Sequence, residues 1–308
     1  MRLGLFLPTM EGWLGDGWQP RWSELRDLAR GAEAIGFDSL FVPDHLIFGA
    51  SPYWGIPEGK TRGLWEAWTI LGGLAEATRR VSLGTYVIGA GFRNPALLAK
   101  MAATLEEVSD GRLVLGLGCG SHPPEYRAFG YPYDHRVSRF EEALAIIAPL
   151  LKDGRVDFTG RFHTARDCEI APRGPRPGGP PIWIAAYQPR MMGLAVRWGD
   201  AFTTAWHTGP DTLAGPIAAL ESACREAGRG PEDVARTVGA IVSLTGAVPP
   251  DCPAALTGRS PEELARGLLA FRTAGVAEVV VMLYPRDVRT LERFAPVVEV
   301  VKRSAASA

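Results

Sequence analysis

An aspartate and a histidine stand side by side at positions 44 and 45, directly behind Leu40-Phe41-Val42-Pro43, an apolar run of strand length. A carboxylate beside an imidazole is a simple pair for moving protons, because an unperturbed imidazole titrates at about 6.5 and either form is accessible near neutrality. At the end of a buried strand, Asp44 and His45 either serve catalysis and ligand orientation, or cap a turn and pack among their neighbours. Downstream, Gly116-Leu117-Gly118-Cys119-Gly120 closes a second apolar run. Gly118 and Gly120 lack the side chains that would keep a backbone away from a flat ring or a phosphate; a tight turn would use the same residues.

The remaining histidines, His122, His135, His163 and His207, are dispersed, and Cys119, Cys168, Cys224 and Cys252 show no paired spacing, so no catalytic metal is expected. The glycine run is not a dinucleotide fingerprint: position 121 is Ser, and Ser121-His122-Pro123-Pro124 is not expected to open a helix. Aromatic residues Trp13, Trp18, Phe48, Tyr53, Trp54, Trp206 and Tyr284 fall between the expected elements, which suits an apolar pocket or simple anchoring of loops. Trp206 and His207 are expected to look into the same opening.

These residues need a frame. Strand-like and helix-like segments alternate eight times: strands near 2–8, 39–42, 81–88, 113–117, 181–185, 201–204, 238–245 and 279–282, each followed by a helical period. Eight such units in 308 residues fit a closed (β/α)8 TIM barrel in one domain spanning 1–308, the alternative being an open doubly wound sheet. In a barrel, Asp44, His45 and the glycines lie at the C-terminal mouth, where active sites are built. Residues 156–180 are an insertion segment after the fourth unit, because the Pro/Gly run that ends it cannot continue a helix or ladder.

Composition narrows the function. Thirty-three basic against 34 acidic residues and 46% apolar content describe a packed globular enzyme with no field for gripping a nucleic acid or an anionic membrane. No apolar run is long enough for a signal peptide or a membrane span, so a cytoplasmic protein acting on a small-molecule substrate is expected, without nucleic-acid or membrane partners.

The chain resembles the bacterial luciferase-like monooxygenases, specifically their deazaflavin-dependent oxidoreductases. The marks run nearly end to end: Gly36-Phe37-Asp38-Ser39-Leu40 leading to Asp44-His45-Leu46, Val81-Ser82-Leu83-Gly84-Thr85, Arg93-Asn94-Pro95, Gly111-Arg112-Leu113 through Gly120, Glu125-Tyr126-Arg127-Ala128-Phe129-Gly130, and Pro181-Ile182-Trp183-Ile184-Ala185-Ala186. The resemblance implies a homodimeric TIM barrel binding coenzyme F420, or alternatively FMN, at its mouth. It implies that the ring rests on a bulge at Thr85, Tyr86 and Val87, often with a non-prolyl cis peptide, beside Asp44 and His45. The phosphate tail would reach amides near Ala186, Tyr187 and Gln188.

His45 is then the proton-transfer residue and Asp44 positions ring or imidazole, with substrate under Trp13, Trp54, Trp206, His207 and Tyr284. The acidic tail of the deazaflavin would use some of Arg161, Arg166, Arg173, Arg176 and Arg190. Ser121 and Thr208 replace an acid and a lysine of the related sugar-phosphate dehydrogenases, and Tyr187-Gln188 replaces a common Gly-Gly, so glucose 6-phosphate is not the expected substrate. Hydride exchange between F420 and a small substrate is the expected activity. An FMN-dependent monooxygenase, a non-catalytic flavin-binding barrel and a metal-dependent hydrolase are the alternatives.

Overall fold

Eight parallel strands close on themselves: β1 (Arg2–Phe6), β2 (Ser39–Val42), β3 (Ser82–Thr85), β4 (Leu113–Gly118), β5 (Ile182–Ala185), β6 (Ala201–Thr204), β7 (Ala235–Ser243) and β8 (Val276–Tyr284). Each pairs with the next, and β8 pairs with β1 through Arg2↔Glu278 to Leu5↔Val281, which completes the ring. The computed structural model describes residues 1–15, 17–50, 56–248, 252, 254–287 and 289–306. The fold is the closed barrel expected from the alternation, not an open sheet.

Among the described residues, eight helices of ten residues or more surround it: α1 (Trp22–Ile35), α2 (Ala67–Ala77), α3 (Pro95–Val108), α4 (Arg136–Asp153), α5 (Pro189–Trp198), α6 (Ala214–Ala227), α7 (Pro261–Ala270) and α8 (Thr290–Ala306). Their ends follow local chemistry. The Asn94 side chain accepts the Ala96 and Leu97 amides ahead of α3, and Gly36 ends α1 with a left-handed φ of 103°. Strands β7 and β8 extend beyond the apolar cores visible in sequence because they pair with each other along nearly their whole length.

The barrel interior is aromatic. Phe6, Phe41, Val114, Trp183, Ala201, Ile241 and Val280 point inward from successive strands, with Phe41 and Trp183 rings 5.1 Å apart. A second apolar layer joins the outer strand faces to the helices.

One departure from the sequence reading bears on the site. Residues 123–129 form a short helix, Pro123–Phe129, where no helix was expected; proline is well suited to the first helical positions because its missing N–H would be unpaired there anyway. After α4, Arg155–Thr159 and Thr164–Glu169 form an antiparallel hairpin whose tip is held by Glu142, which accepts the Arg161, Phe162 and His163 amides at 2.8, 2.8 and 2.9 Å.

The Pro/Gly run then crosses the opposite end of the barrel from the mouth. Arg173 donates to the Leu151 and Lys152 carbonyls at the end of α4, and Arg176 pairs with buried Glu106, which also takes the amide of Leu113, the first residue of β4. These two arginines satisfy orphan helix carbonyls and a buried carboxylate, so they cannot serve a ligand at the mouth. Of the others, Arg161 lies over the Phe162 ring and Arg190 pairs with Glu141 and Ser138. Arg166 is exposed on the hairpin.

Candidate active site

At the mouth, Phe6 from the end of β1 stacks on Trp13 at 5.7 Å and meets Trp206 edge-on at 5.7 Å, while Tyr86 lies 6.0 Å from Trp206. These rings make an apolar floor. Arg286 sits 4.9 Å above the outer face of Trp13. Tyr284 ends β8 half-buried, and its carbonyl accepts the Leu244 amide. Trp54 lies outside the described residues.

The bulge between Thr85 and Ile88 contains a cis Tyr86–Val87 peptide bond and packs directly on β4. A Cβ on Gly116 would come 2.0 Å from the Thr85 carbonyl, and one on Gly118 would come 2.9 Å from Val87. Gly120 adopts φ +79° and leaves room for the Tyr126 hydroxyl, which a Cβ would approach to 1.8 Å. The glycines of β4 thus admit the chain's own neighbouring strand and Tyr126. This close approach is a structural duty beyond both readings of these glycines, room for a ring or phosphate and a tight turn.

Asp44 does not face the mouth. It is 2% exposed, and Arg93 grips both of its oxygens at 2.7 and 2.9 Å, with the Gly89 amide adding a third contact at 3.2 Å. Burial pushes the Asp44 carboxyl up from its ordinary range, and the bidentate guanidinium works against that shift. Arg93 extends the chain to Glu66, whose carboxylate also caps α2. The aspartate therefore anchors the β2 loop to α2 and α3, and it makes no hydrogen bond to the imidazole among the described residues.

His45 takes a different carboxylate. Its Nδ1 lies 2.8 Å from Glu125 Oε1, and Glu125 Oε2 accepts the Leu46 amide at 2.9 Å. Phe48 packs against the imidazole at 4.2 Å and against His122 at 5.2 Å, tilted to them by 43° and 45°, so the three rings form one cluster. His122 Nε2 accepts the Gly49 amide at 3.0 Å, which requires an unprotonated nitrogen there; burial holds its pKa below the ordinary value accordingly. His45 keeps partial exposure, and its Nε2 has no hydrogen-bond partner among the described residues.

His207 is turned inward, only 8% exposed, with Nδ1 2.8 Å from Thr212 and Nε2 3.3 Å from Thr204. The Thr212 hydroxyl already donates to the Gly209 carbonyl, so Nδ1 carries the imidazole proton. Burial lowers its pKa, and the residue braces the loop after β6 through Thr204 and Thr212.

Above β5, Ala186 is buried with its amide on the Thr203 carbonyl. Tyr187 is 63% exposed, yet its hydroxyl accepts the Ala205 amide at 2.9 Å and donates to the Ala205 carbonyl. Tyr86 grips the same segment from β3, accepting from Thr203 Oγ1 at 2.8 Å and donating to the Thr204 carbonyl. Gln188 precedes α5 without a side-chain cap, so the first amides of that helix are left to a ligand or solvent.

Glu125 and Arg93 are the site residues that sequence reasoning missed. Both lie in segments whose only signal was a family-like run, and neither sits near its partner in the chain. Among the described residues no cluster of three His, Cys, Asp or Glu side chains could hold a metal, and no helix is long and apolar enough to cross a membrane.

The chain is 35% identical over 238 residues to a phthiodiolone/phenolphthiodiolone dimycocerosates ketoreductase of Mycobacterium sp. (strain JLS), covering 73% of this chain and 62% of that protein. It is 31% identical over 222 residues to an F420-dependent glucose-6-phosphate dehydrogenase of Amycolatopsis mediterranei (strain U-32), covering 70% and 63%. The chain thus spans about three fifths of the length of these curated relatives. In fold it superposes on an F420-dependent secondary alcohol dehydrogenase in complex with an F420-acetone adduct, with TM-score 0.79, 21% identity and coverage of 97% and 98%. Residues 1–247 match the family described as Luciferase-like monooxygenase, and the chain belongs to that family.

Proposed function

We propose that the chain exchanges a hydride between coenzyme F420 and a small apolar alcohol or ketone held at the barrel mouth. The observation that carries this reading is the placement of His45: an imidazole pinned on one nitrogen, open on the other, at the end of β2 in a mouth floored by Phe6, Trp13, Tyr86 and Trp206. The activities of two relatives, a ketoreductase and an F420-dependent dehydrogenase, support the same chemistry.

The residues fit the cofactor class. A flat ring system suits an aromatic and backbone-walled mouth, and the uncapped start of α5 suits a phosphate, since helix N-terminal amides point at an anion there. The deazaflavin supplies hydride exchange. The chain's own residues do the rest: the aromatic floor excludes water and orients an apolar substrate, and His45 Nε2 takes or returns the proton of the substrate oxygen. No carboxylate or lysine stands at Ser121 or Thr208 to recognise a sugar phosphate. The homodimer implied by the family likeness belongs to the same reading and is checked by sedimentation.

The test is a fluorescence titration of the purified protein with F420 and with FMN, followed by anaerobic assay of reduced F420 against a series of small ketones. Tighter binding of F420 with ketone-dependent oxidation supports the proposal. Equal or tighter binding of FMN with oxygen consumption would replace it by a flavin monooxygenase, and binding without turnover by a non-catalytic barrel.

A further inference from the structure

We infer that Glu125 is the positioning residue of this site: it fixes which nitrogen of His45 carries the proton, and so makes Nε2 the atom through which the substrate proton passes. The inference deepens the function proposed above and rests on it for its kinetic part only.

The Glu125 side chain is 1% exposed and has two neighbours within hydrogen-bond reach, the Leu46 amide at 2.9 Å on Oε2 and His45 Nδ1 at 2.8 Å on Oε1. A backbone amide can only donate, and an ionised carboxylate can only accept. The contact with His45 is therefore a hydrogen bond only if Nδ1 holds the proton. The other tautomer would press the Nδ1 lone pair against an oxygen of a carboxylate that is itself buried, a repulsive contact with no hydrogen bond to offset it. In the neutral ring Nε2 is thus left bare. When Nε2 takes a proton, the resulting cation already faces a carboxylate.

The surroundings remove the alternatives. Asp44, the carboxylate adjacent in sequence, is consumed by Arg93 and Gly89. Phe48 packs on the imidazole at 4.2 Å and is backed by His122, which is itself held by the Gly49 amide. The ring is thereby confined on one face by an aromatic and at one edge by Glu125. The short helix Pro123–Phe129 presents the acid, and its neighbour Tyr126 locks that helix beneath Phe92 with rings 4.7 Å apart. A carboxylate oriented by an independent backbone donor, behind an imidazole whose far nitrogen is open, is the arrangement by which a base is held in one tautomer.

The decisive variant is Glu125→Gln. An amide offers a single oxygen to two donors, so its NH2 must face either the Leu46 amide or the imidazole. Facing the imidazole, it turns Nδ1 into an acceptor and moves the proton to Nε2. Two readouts follow. In protein labelled with 15N-histidine and free of cofactor, two-bond imidazole correlations should give the Nδ1–H tautomer for wild-type His45, assigned by loss of the signal in His45→Gln, and a shift toward Nε2–H in Glu125→Gln. In steady-state kinetics kcat should fall by about 10²–10⁴-fold while KM changes little, as happens when the carboxylate behind a catalytic imidazole becomes an amide and the geometry survives. Glu125→Asp keeps the acceptor charge and should retain the Nδ1–H tautomer with intermediate kcat.

A wild-type His45 in the Nε2–H tautomer overturns the inference, as does a Glu125→Gln protein with unchanged tautomer and turnover. If Glu125→Gln does not fold, the wild-type and Glu125→Asp spectra decide. The spectroscopic result does not depend on F420, so a wrong cofactor and a wrong role for Glu125 give different outcomes.

Discussion

Arg93 holds both oxygens of Asp44 inside the protein, 49 positions along the chain, and its guanidinium reaches on to Glu66. Removing the cation would strand a buried carboxylate, and breaking a buried pair from one side costs about 3–5 kcal/mol. Arg93→Ala should therefore show a large drop in urea midpoint, and Arg93→Lys should recover little, because an ammonium cannot reproduce the planar two-bond grip. A midpoint within error of wild type for Arg93→Ala would show that the pair carries no structural weight.

His45 should behave in the opposite way. His45→Ala is expected to lower turnover by about 10²–10⁴-fold, the usual contribution of a positioned acid or base, with the melting temperature close to that of the parent. Single-turnover rates of reduced F420 with a ketone substrate measure this. A variant that turns over at the wild-type rate would return His45 to a packing role.

The glycines of the chain divide by their surroundings. Gly116→Ala and Gly120→Ala would place methyl groups 2.0 Å from the Thr85 carbonyl and 1.8 Å from the Tyr126 hydroxyl, so each should destabilise by about 1–3 kcal/mol or more through overpacking. Gly193→Ala in α5 meets nothing within 4 Å and should stabilise by about 0.4–1 kcal/mol. Chemical denaturation of the three variants side by side checks the contrast.

Acid sensitivity follows from His207 and His122, whose burial lowers their pKa in the folded protein. Below about 6.5 the unfolded chain binds protons that these folded imidazoles refuse, so stability present above that pH is lost as pH falls toward the folded values. Melting temperature should decline between neutrality and mild acid, and His207→Asn should flatten the decline. An unchanged slope in that variant would place the acid sensitivity elsewhere.

Much of the frame was legible in sequence because barrel strands and their helices repeat short-range patterns: apolar runs, Asn94-Pro95 opening α3, Gly36 closing α1. The position of His45 followed from the same logic, as the residue just beyond a buried strand. Its partner did not. Asp44 is the neighbour in sequence, but its side chain is buried against Arg93 and the Gly89 amide, contacts that lie outside any local pattern. Glu125 lies 80 positions away on a helix hidden behind a Pro-Pro pair, and no local pattern reports such a contact. The arginines of the insertion misled for a related reason. Their charge suggested a ligand, whereas a buried acid and the open carbonyls of α4 had already taken Arg176 and Arg173.

The two phenols that close on residues 203–205 divide the entrance into unlike halves. Tyr86 and Tyr187 come from strands on either side of β4 and tie down the chain leading to Trp206, so that side acts as a fixed jaw. The side formed by Trp13 and Arg286 is built instead on ring stacking and an aromatic-cation contact. Adaptation to bulkier substrates, in evolution or in the laboratory, should therefore leave Tyr86 and Tyr187 intact.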